Sequence, residues 1–357
     1  MADSRHAYPT LDLMRGIAAL EVVMYHSSGY GGLAPVSSAY LAVDLFFLLS
    51  GFVISHAYGE KLAAGMSVRQ FMTVRFIRLW PLHILGIVIA ATVILASMAN
   101  SPGYTSNWPR FGLSLASSPF FLPTFSLDPK AWLFPLNVPA WTLFVELAAN
   151  LLAALVWRRL SNRVLAGVVA VSALALVAVA LKNQQLDQGS HWGTLPGGII
   201  RMMFSFFLGV VLYRLRDRFL SISLHPAILV LLVAAILAPN LSGVPRGLYD
   251  LLIVLVGCPL LVAAGSASKP WKGGGWFFLL VGQMSYGIYI LHAPAADLAA
   301  SMFGLIGHRD WWAGAPARIA FLAPFLIGVW LAVKLYDEPV RRFLTSIHRT
   351  SQKATPA

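Results

Sequence analysis

Apolar stretches of about 20 residues recur along almost the whole chain, and this feature constrains the fold more than any other. A run of that length, wound as an α-helix, crosses the hydrocarbon core of a bilayer. We place about ten such spans, at roughly residues 11–28, 40–58, 79–99, 139–157, 164–181, 197–213, 225–239, 247–264, 276–298 and 316–335. The composition agrees, because 58% of the 357 residues are hydrophobic and only 11% are charged. The excess apolar surface is expected to face lipid.

The sequence therefore predicts an all-α fold, a polytopic transmembrane helix bundle of about ten spans. Residues 1–344 are predicted to form one membrane domain, and residues 345–357 a basic, polar and disordered cytoplasmic tail. A short amphipathic helix, capped by Ser67 and ending near Arg78, is predicted to lie along the cytoplasmic surface and run straight into the third span. Residues 100–138 are predicted to form a long loop on the opposite side.

The placement of the basic residues argues against a nucleic-acid partner, and the cysteine content argues against a disulfide or a metal site. The formal net charge of +12 would suit a nucleic-acid partner. Most of the basic residues, however, fall in loops on one side of the bundle when both termini are placed in the cytoplasm, which is the positive-inside pattern. We therefore predict two cytoplasmic termini and no nucleic-acid partner. Cys258 is the only cysteine, so we expect no intramolecular disulfide and no metal site.

Ionisable side chains inside the predicted spans are the strongest functional signal, because burying one at bilayer depth costs at least about 2.5 to 3.5 kcal/mol. Each of them needs a partner, a water-filled cavity or a catalytic task. The set consists of Arg15, Glu21, His26, Asp44, Glu146, Arg201, His292 and Arg318. The rise of about 1.5 Å per residue puts His26, Asp44 and His292 at one level in the outer half of the membrane.

The spacing of polar residues along three helices predicts a polar tunnel. Arg15 and His26 are eleven residues apart, so at about 100° per residue they share one face of the first helix. Similar stripes at helical spacing occur on the fourth and ninth spans. They consist of Thr142, Glu146 and Asn150, and of Ser285, Tyr289 and His292. We expect all three stripes to face the interior of the bundle.

The chemistry that suits such a tunnel is acyl transfer to a hydroxyl group. A sugar hydroxyl is a poor nucleophile until a base takes its proton, and histidine is the usual base. A neighbouring carboxylate orients the imidazole and stabilises its charged form. We therefore predict His26 as the base and Asp44 as its partner. The structural alternatives are that His26 and His292 only pack, and that Arg75 and Arg78 only anchor the bundle at the membrane surface.

Motifs in the first three spans match one known family. The first span contains LDLMRGIAALEVVMYH, in which ten residues separate a basic residue from a histidine, here Arg15 and His26. The second contains AVDLFFLLSGFVIS around an acid, here Asp44, and the third begins with the paired arginines of RFIRLWP, Arg75 and Arg78. In these motifs the chain resembles the membrane acyltransferase 3 family of bacterial polysaccharide O-acyltransferases.

Three later motifs extend the resemblance over essentially the whole chain. They are WTLFVEL, which includes Trp141 and Glu146, then SYGIYILH at 285–292 and YDEPVRR at 336–342. One departure is Glu21, which stands where the family usually has an apolar residue. It is expected either to pair with a cation such as Arg201 or Arg318 or to alter the acceptor path. No soluble hydrolase-like domain follows the last span, so the chain resembles a stand-alone membrane module.

The resemblance implies an enzyme of the bacterial inner membrane that moves an acyl group, expected to be acetyl, from cytoplasmic acyl-CoA to a hydroxyl of a carbohydrate or cell-surface polysaccharide. Acyl-CoA would be a co-substrate, with no bound cofactor. Family roles and the residue analysis together assign catalysis to His26, Asp44 and Glu146. Contacts with donor or acceptor are expected from Arg15, Arg75, Arg78, Trp141, Ser285, Tyr289 and His292.

Other functions remain open on the sequence alone. Buried charges and a polar tunnel also suit a transporter or flippase for a sugar-containing substrate, although no inverted repeat is detected. A scaffold in a polysaccharide export complex is a third hypothesis, and it predicts that His26 is dispensable. The acceptor, the length of the acyl group, the oligomeric state and the choice between direct transfer and an acyl-enzyme intermediate are not determined by these motifs.

Overall fold

The chain is helical almost throughout the part that the computed structural model describes. The described residues are 8–28, 37–100, 108–219, 221–305 and 315–354. The first seven helices are α1 (Pro9–Ser28), α2 (Ala42–Ala63), α3 (Val68–Asn100), α4 (Trp108–Ser117), α5 (Ala140–Val156), α6 (Asn162–Asn183) and α7 (Leu195–Arg214). The others are α8 (Pro226–Leu237), α9 (Gly243–Leu252), α10 (Cys258–Ala267), α11 (Gly275–Leu305), α12 (Ala315–Leu331) and α13 (Glu338–Ala354). These helices confirm the predicted all-α bundle.

Eight helices in the described ranges are long and apolar enough to cross a bilayer, and two of these spans each consist of two numbered helices joined end to end. The joints are π-helical turns, Ile253–Gly257 between α9 and α10 and Ala332–Asp337 between α12 and α13. The two remaining predicted spans are also helical: α1, which carries three charged residues besides its histidine, and α8, which has only 12 residues. The number of crossings and the side of each terminus stay predictions.

Glycines bring α2 and α7 into close contact. A Cβ atom added at Gly51 would overlap the main-chain oxygen of Phe206, and one added at Gly209 would overlap that of Leu48. Small residues at a helix crossing let two backbones approach closely, which is the main way that helices gain packing energy where no hydrophobic drive is available. The contact fixes α2 against α7 and thereby brings their buried polar side chains together.

A second helix pair, α1 and α11, packs along much of its length. Gly16 of α1 lies against Val281, and Gly282 of α11 lies against Asp12, with no room for a larger residue at either glycine. Helix α11 also packs on α3, and α3 packs on α5. The helices that carry the predicted stripes are therefore neighbours, as the tunnel hypothesis requires.

Two predictions about the ends of helices have different outcomes. Ser67 and Gln70 bond reciprocally, Gln70 N to Ser67 Oγ at 3.2 Å and Ser67 N to Gln70 Oε1 at 3.1 Å, so α3 begins with the expected cap and runs without a break to Asn100. The predicted disorder of the tail is wrong for residues 345–354, because α13 continues through Ala354. Its strongly amphipathic sequence explains the helix.

The segment predicted as a long outer loop contains structure of its own. Helix α4 and a 3₁₀ turn at Ser118–Phe120 lie within it. Trp80 and His83 of α3 hold this turn by hydrogen bonds to the main-chain oxygens of Pro119 and Ser118, at 3.1 and 2.8 Å. The segment is therefore fastened to the side of the bundle.

The α2–α7 contact gives the first prediction. Gly209→Ala should lower the melting temperature of the purified protein in detergent, because the added methyl group meets main-chain atoms, and overpacking typically costs about 1–3 kcal/mol. Gly167→Ala on α6 is the matched control, since nothing lies within 4 Å of its Cβ position. It should be neutral or slightly stabilising. Equal melting temperatures for the two variants would contradict the close packing described above.

Candidate active site

Arg15 joins the stripes of α1 and α11 at the predicted cytoplasmic end of the bundle. Its Nε donates to Ser285 Oγ at 2.8 Å, and its Nη2 donates to Asp12 Oδ1 at 2.7 Å and to the Gly282 oxygen at 2.9 Å. A small cleft beside it is lined by Tyr8, Leu11, Asp12, Arg15, Leu49, Val53 and His56. The structure thus brings two predicted site residues, Arg15 and Ser285, into direct contact.

Glu146 of α5 contacts the predicted donor site rather than the histidines. Arg75 Nη2 donates to Glu146 Oε1 at 2.7 Å, and Ser50 Oγ donates to the same oxygen at 2.6 Å. Arg75 Nε is buried and has no hydrogen-bond partner in the described structure. Arg78, one turn further along α3, is half-buried. A carboxylate placed here holds an arginine side chain in position, and its predicted catalytic role stays untested.

Two further predicted residues, Trp141 and Tyr289, lie in the core. The hydroxyl groups of Tyr289 and Thr142 are 3.0 Å apart, and Thr142 Oγ1 also donates to the Pro139 oxygen at 2.9 Å. The Trp141 ring lies directly against Gly189, whose φ is +128° and where a Cβ would overlap the ring. Tyr289 therefore belongs to the polar stripe, while Trp141 supports the segment between α6 and α7.

The imidazole rings of His26 and His292 meet near the opposite end of α1. Their centroids are 4.8 Å apart. His26 Nδ1 is 2.9 Å from the Val22 oxygen, and His292 Nδ1 is 2.6 Å from the Tyr289 oxygen. A carbonyl oxygen only accepts hydrogen bonds, so both Nδ1 atoms carry a proton, and in the neutral form of each ring Nε2 keeps a lone pair.

The two histidines differ in access. His26 is exposed, whereas His292 is buried, and its Nε2 has no hydrogen-bond partner in the described structure. A neutral imidazole with a free Nε2 lone pair can accept a proton from a hydroxyl group. His26 therefore has the form that a general base needs, and His292 lies directly behind it.

The predicted pair of His26 and Asp44 is wrong. Both side chains of Asp44 and Arg201 are fully buried, with Arg201 Nη2 2.6 Å and Nε 3.1 Å from Asp44 Oδ2. Ser205 Oγ lies 3.4 Å from the other oxygen. In the part of the chain that the structure describes, no hydrogen bond joins Asp44 to His26. The buried guanidinium takes the carboxylate because two unpaired charges in the bundle would be far more costly than one ion pair.

The Asp44–Arg201 ion pair shows that the expected pairing of Glu21 with Arg201 is wrong. Arg201 is occupied by Asp44 and also donates to the main-chain oxygens of Tyr40 and Gln188, each at 2.9 Å. Glu21 is buried, and its Oε2 atom has no hydrogen-bond partner among the described residues. The side chain of Arg318 lies outside the described part of the structure.

A second buried network, which the sequence did not suggest, holds the segment between α6 and α7. Tyr40 donates to Asp250 Oδ2 at 2.6 Å, and Arg246 lies 3.2 Å from Asp250 Oδ1 and also bonds the Tyr40 hydroxyl. The Leu186 amide donates to Asp250 Oδ2 at 2.8 Å. The spacing of Arg246 and Asp250, one turn apart on α9, is the signal that could have revealed this pair.

That segment carries an acid beside His26. Asp187 is exposed, and its negative charge acts on both the Tyr25 hydroxyl group and the His26 imidazole. Asp187 was not among the predicted site residues, because it lies in a connection rather than in a predicted span. It supplies the nearby negative charge that had been expected from Asp44.

Comparison with known proteins identifies the family of this chain. The family described as Acyltransferase domain matches residues 8–334. The chain belongs to the acyltransferase 3 family. It is a multi-pass membrane acyltransferase, as the motifs indicated, and family membership favours an enzyme over the transporter and scaffold hypotheses.

Three relatives illustrate the range of the family. Protein 2 in the picA locus of Rhizobium radiobacter is 40% identical over 48% of this chain and 93% of that protein. Acyltransferase MdmB of Streptomyces mycarofaciens is 24% identical over 94% of this chain and 92% of its own length. Peptidoglycan O-acetyltransferase OatA of Listeria monocytogenes is 24% identical over 95% of this chain, which spans only 56% of that protein. No solved structure matches the chain.

The buried ion pair gives a second prediction. Asp44→Ala should sharply lower the melting temperature, because it leaves the Arg201 charge unpaired, and removing one partner of a buried pair typically costs about 3–5 kcal/mol. Ser205→Ala, which loses only a long contact to the same carboxylate, is the control and should melt close to wild type. An Asp44→Ala protein that melts normally and has lost only its activity would restore the catalytic hypothesis for Asp44.

Proposed function

We propose that this acyltransferase moves an acyl group, in the first instance acetyl, from cytoplasmic acyl-CoA to a hydroxyl group of a carbohydrate. The observation that carries the proposal is the α1–α11 pair. The same two helices contribute Arg15 and Ser285 at one end and His26 and His292 at the other. Eleven residues of α1 separate Arg15 from His26, about 16 Å along the helix axis. An elongated thioester donor could therefore be held at one end and react at the other.

The donor phosphates are proposed to bind at Arg75 and Arg78. Arginine is suited to this task because its planar guanidinium offers several donors to a phosphate. Arg78 forms no hydrogen bond or ion pair within the described residues, so its charge is available to an anion. The pantetheine arm would then pass Arg15, which brings the thioester toward His26.

The reaction follows from the protonation of His26. Its Nε2 accepts the proton of the acceptor hydroxyl as the oxygen attacks the thioester carbonyl carbon. The C–S bond breaks, the new C–O ester bond forms, and the imidazolium returns the proton to the leaving thiolate. The Val22 oxygen holds the Nδ1 proton throughout, and the charge of Asp187 stabilises the imidazolium.

The acceptor class is supported by the relatives and by the position of His26. One relative is by name a peptidoglycan O-acetyltransferase, and 56% of its length aligns with 95% of this chain. We extend this to a carbohydrate or cell-surface polysaccharide acceptor that approaches His26 from the side opposite Arg75. A bacterial cytoplasmic membrane, with the donor inside and the acceptor outside, suits this arrangement.

The third prediction concerns the base. His26→Gln should lower the turnover of labelled acetyl-CoA by the purified protein about 100-fold or more, because loss of a general base typically costs a factor of 10²–10⁴. His225→Gln is the control, since His225 is exposed and its ring caps α8 and stacks on Trp271, away from the two histidines of the candidate site. Donor turnover and acetyl-ester content of the cell envelope are the two measurements. Wild-type turnover by a folded His26→Gln protein would overturn the assignment.

A further inference from the structure

Four arginine side chains converge on one region at the predicted cytoplasmic end. The guanidinium of Arg78 lies within the electrostatic reach of three like charges, Arg15, Arg75 and Arg341, and of one opposite charge, Asp337. Three of these arginines have an acidic partner: Asp12 for Arg15, Glu146 for Arg75 and Asp337 for Arg341. Arg78 has none in the described structure. The cluster therefore has a surplus positive charge in a partly buried place, which an anion would neutralise.

Arg341 and Asp337 belong to the YDEPVRR motif, to which the proposed function assigns no role. Arg341 Nη2 lies 2.7 Å from Asp337 Oδ2, and the Arg341 side chain is 23% exposed. Helix α13 packs on α3, which carries Arg75 and Arg78. Tyr286 of α11 lies among the same charges, and its hydroxyl donates to the Leu79 oxygen of α3 at 2.6 Å. Helices α1, α3, α11 and α13 thus all contribute to the cluster.

The hydrogen bonds of this cluster are incomplete. Arg341 Nε, Asp337 Oδ1 and Arg75 Nε are all buried and have no hydrogen-bond partner in the described structure. Buried polar atoms are normally paired, and unpaired ones often mark the place of a ligand. Two of the three are guanidinium donors, and guanidinium groups bind phosphate oxygens through two parallel hydrogen bonds.

A break in helix regularity places these residues. The π-helical turn Ala332–Asp337 comes directly before α13. Such a turn inserts an extra residue and rotates the helix that follows it, and π-bulges are frequent at functional sites. As a result Asp337 is buried and Arg341 is turned inward, while the next residue, Arg342, has 81% of its side chain exposed. Arg341 and Arg342 are neighbours of the same type in opposite environments.

We propose that Arg341 binds the phosphate groups of the acyl donor together with Arg75 and Arg78, and that Asp337 holds Arg341 ready and competes with the phosphate for it. The ligand class is a thioester with a phosphorylated nucleotide end. This inference rests on the proposed function and adds a specific residue to its donor site. It assigns the closing motif to donor recognition and leaves the acyl-transfer step unchanged.

The test compares neighbouring arginines with two donors. Purified wild-type protein, Arg341→Ala and Arg342→Ala are assayed in detergent with acetyl-CoA and with S-acetylpantetheine, which lacks phosphate. Arg341→Ala should raise KM for acetyl-CoA at least tenfold with little change in kcat, and Arg342→Ala should match wild type. All three proteins should behave alike with S-acetylpantetheine, because it has no phosphate to recognise.

Asp337→Asn supplies a readout that a merely structural role would not produce. Removal of the competing charge should lower KM for acetyl-CoA, the opposite of the effect of Arg341→Ala. If the Arg341–Asp337 ion pair were only structural, both Arg341→Ala and Asp337→Asn would impair the enzyme, and neither would lower KM for acetyl-CoA. If Arg341→Ala does not fold, Arg341→Lys replaces it and should raise KM by a smaller factor, since lysine keeps the charge but loses the fork geometry.

The outcomes separate the inference from the function on which it rests. If wild type does not turn over acetyl-CoA, the proposed function fails. If wild type does so and Arg341→Ala or Arg341→Lys has the same KM as Arg342→Ala, only the role of Arg341 fails. Lipid headgroups also carry phosphate, so the assay is repeated with added phosphatidylglycerol. A difference between the arginine variants that appears only with this lipid would overturn donor binding in favour of a lipid site.

Discussion

The buried ion pair of Asp44 and Arg201 is the interaction on which the arrangement of the bundle depends. Neither side chain is exposed, and a charge without a partner in the interior of a membrane bundle is among the most unfavourable features a fold can have. Arg201 extends this pair to the main-chain oxygens of Tyr40 and Gln188. One guanidinium therefore joins α2 and α7 to the segment that carries Asp187, and so sets the position of an acid beside His26.

The architecture could be predicted from the sequence because hydropathy and length determine where a helix can cross a membrane. Predicted spans such as 139–157 and 197–213 correspond closely to α5 and α7. The tail beyond residue 345 was mispredicted because its polar composition resembles that of disordered segments. The apolar residues of α13, Val340, Phe343, Leu344 and Ile347, recur at helical spacing across residue 345, and that periodicity was the better indicator of structure.

The depth of the site residues in the membrane could be predicted from the sequence, but the direction in which each side chain points from its helix could not. Counting residues along each helix put His26, Asp44 and His292 at one level, and the structure brings His26 and His292 together. Rotation of α2 about its own axis depends on the close contact of Gly51 with α7, a tertiary feature that no single span reveals. That rotation directs Asp44 to Arg201. The carboxylate near His26 comes from a connecting segment instead, where hydropathy carries no information.

The hydrogen bond between His26 and the Val22 oxygen has a consequence for how such enzymes vary. In serine hydrolases a side-chain carboxylate fixes the imidazole tautomer, and that residue can be lost by mutation. Here a peptide group does the same, and every amino acid at position 22 supplies it. Alanine scanning would therefore miss this contribution entirely. Only a change that distorts the helix itself, such as a proline within the following turn, would break this hydrogen bond to the ring. The tautomer of His26 therefore depends on the backbone of α1 and not on any neighbouring side chain.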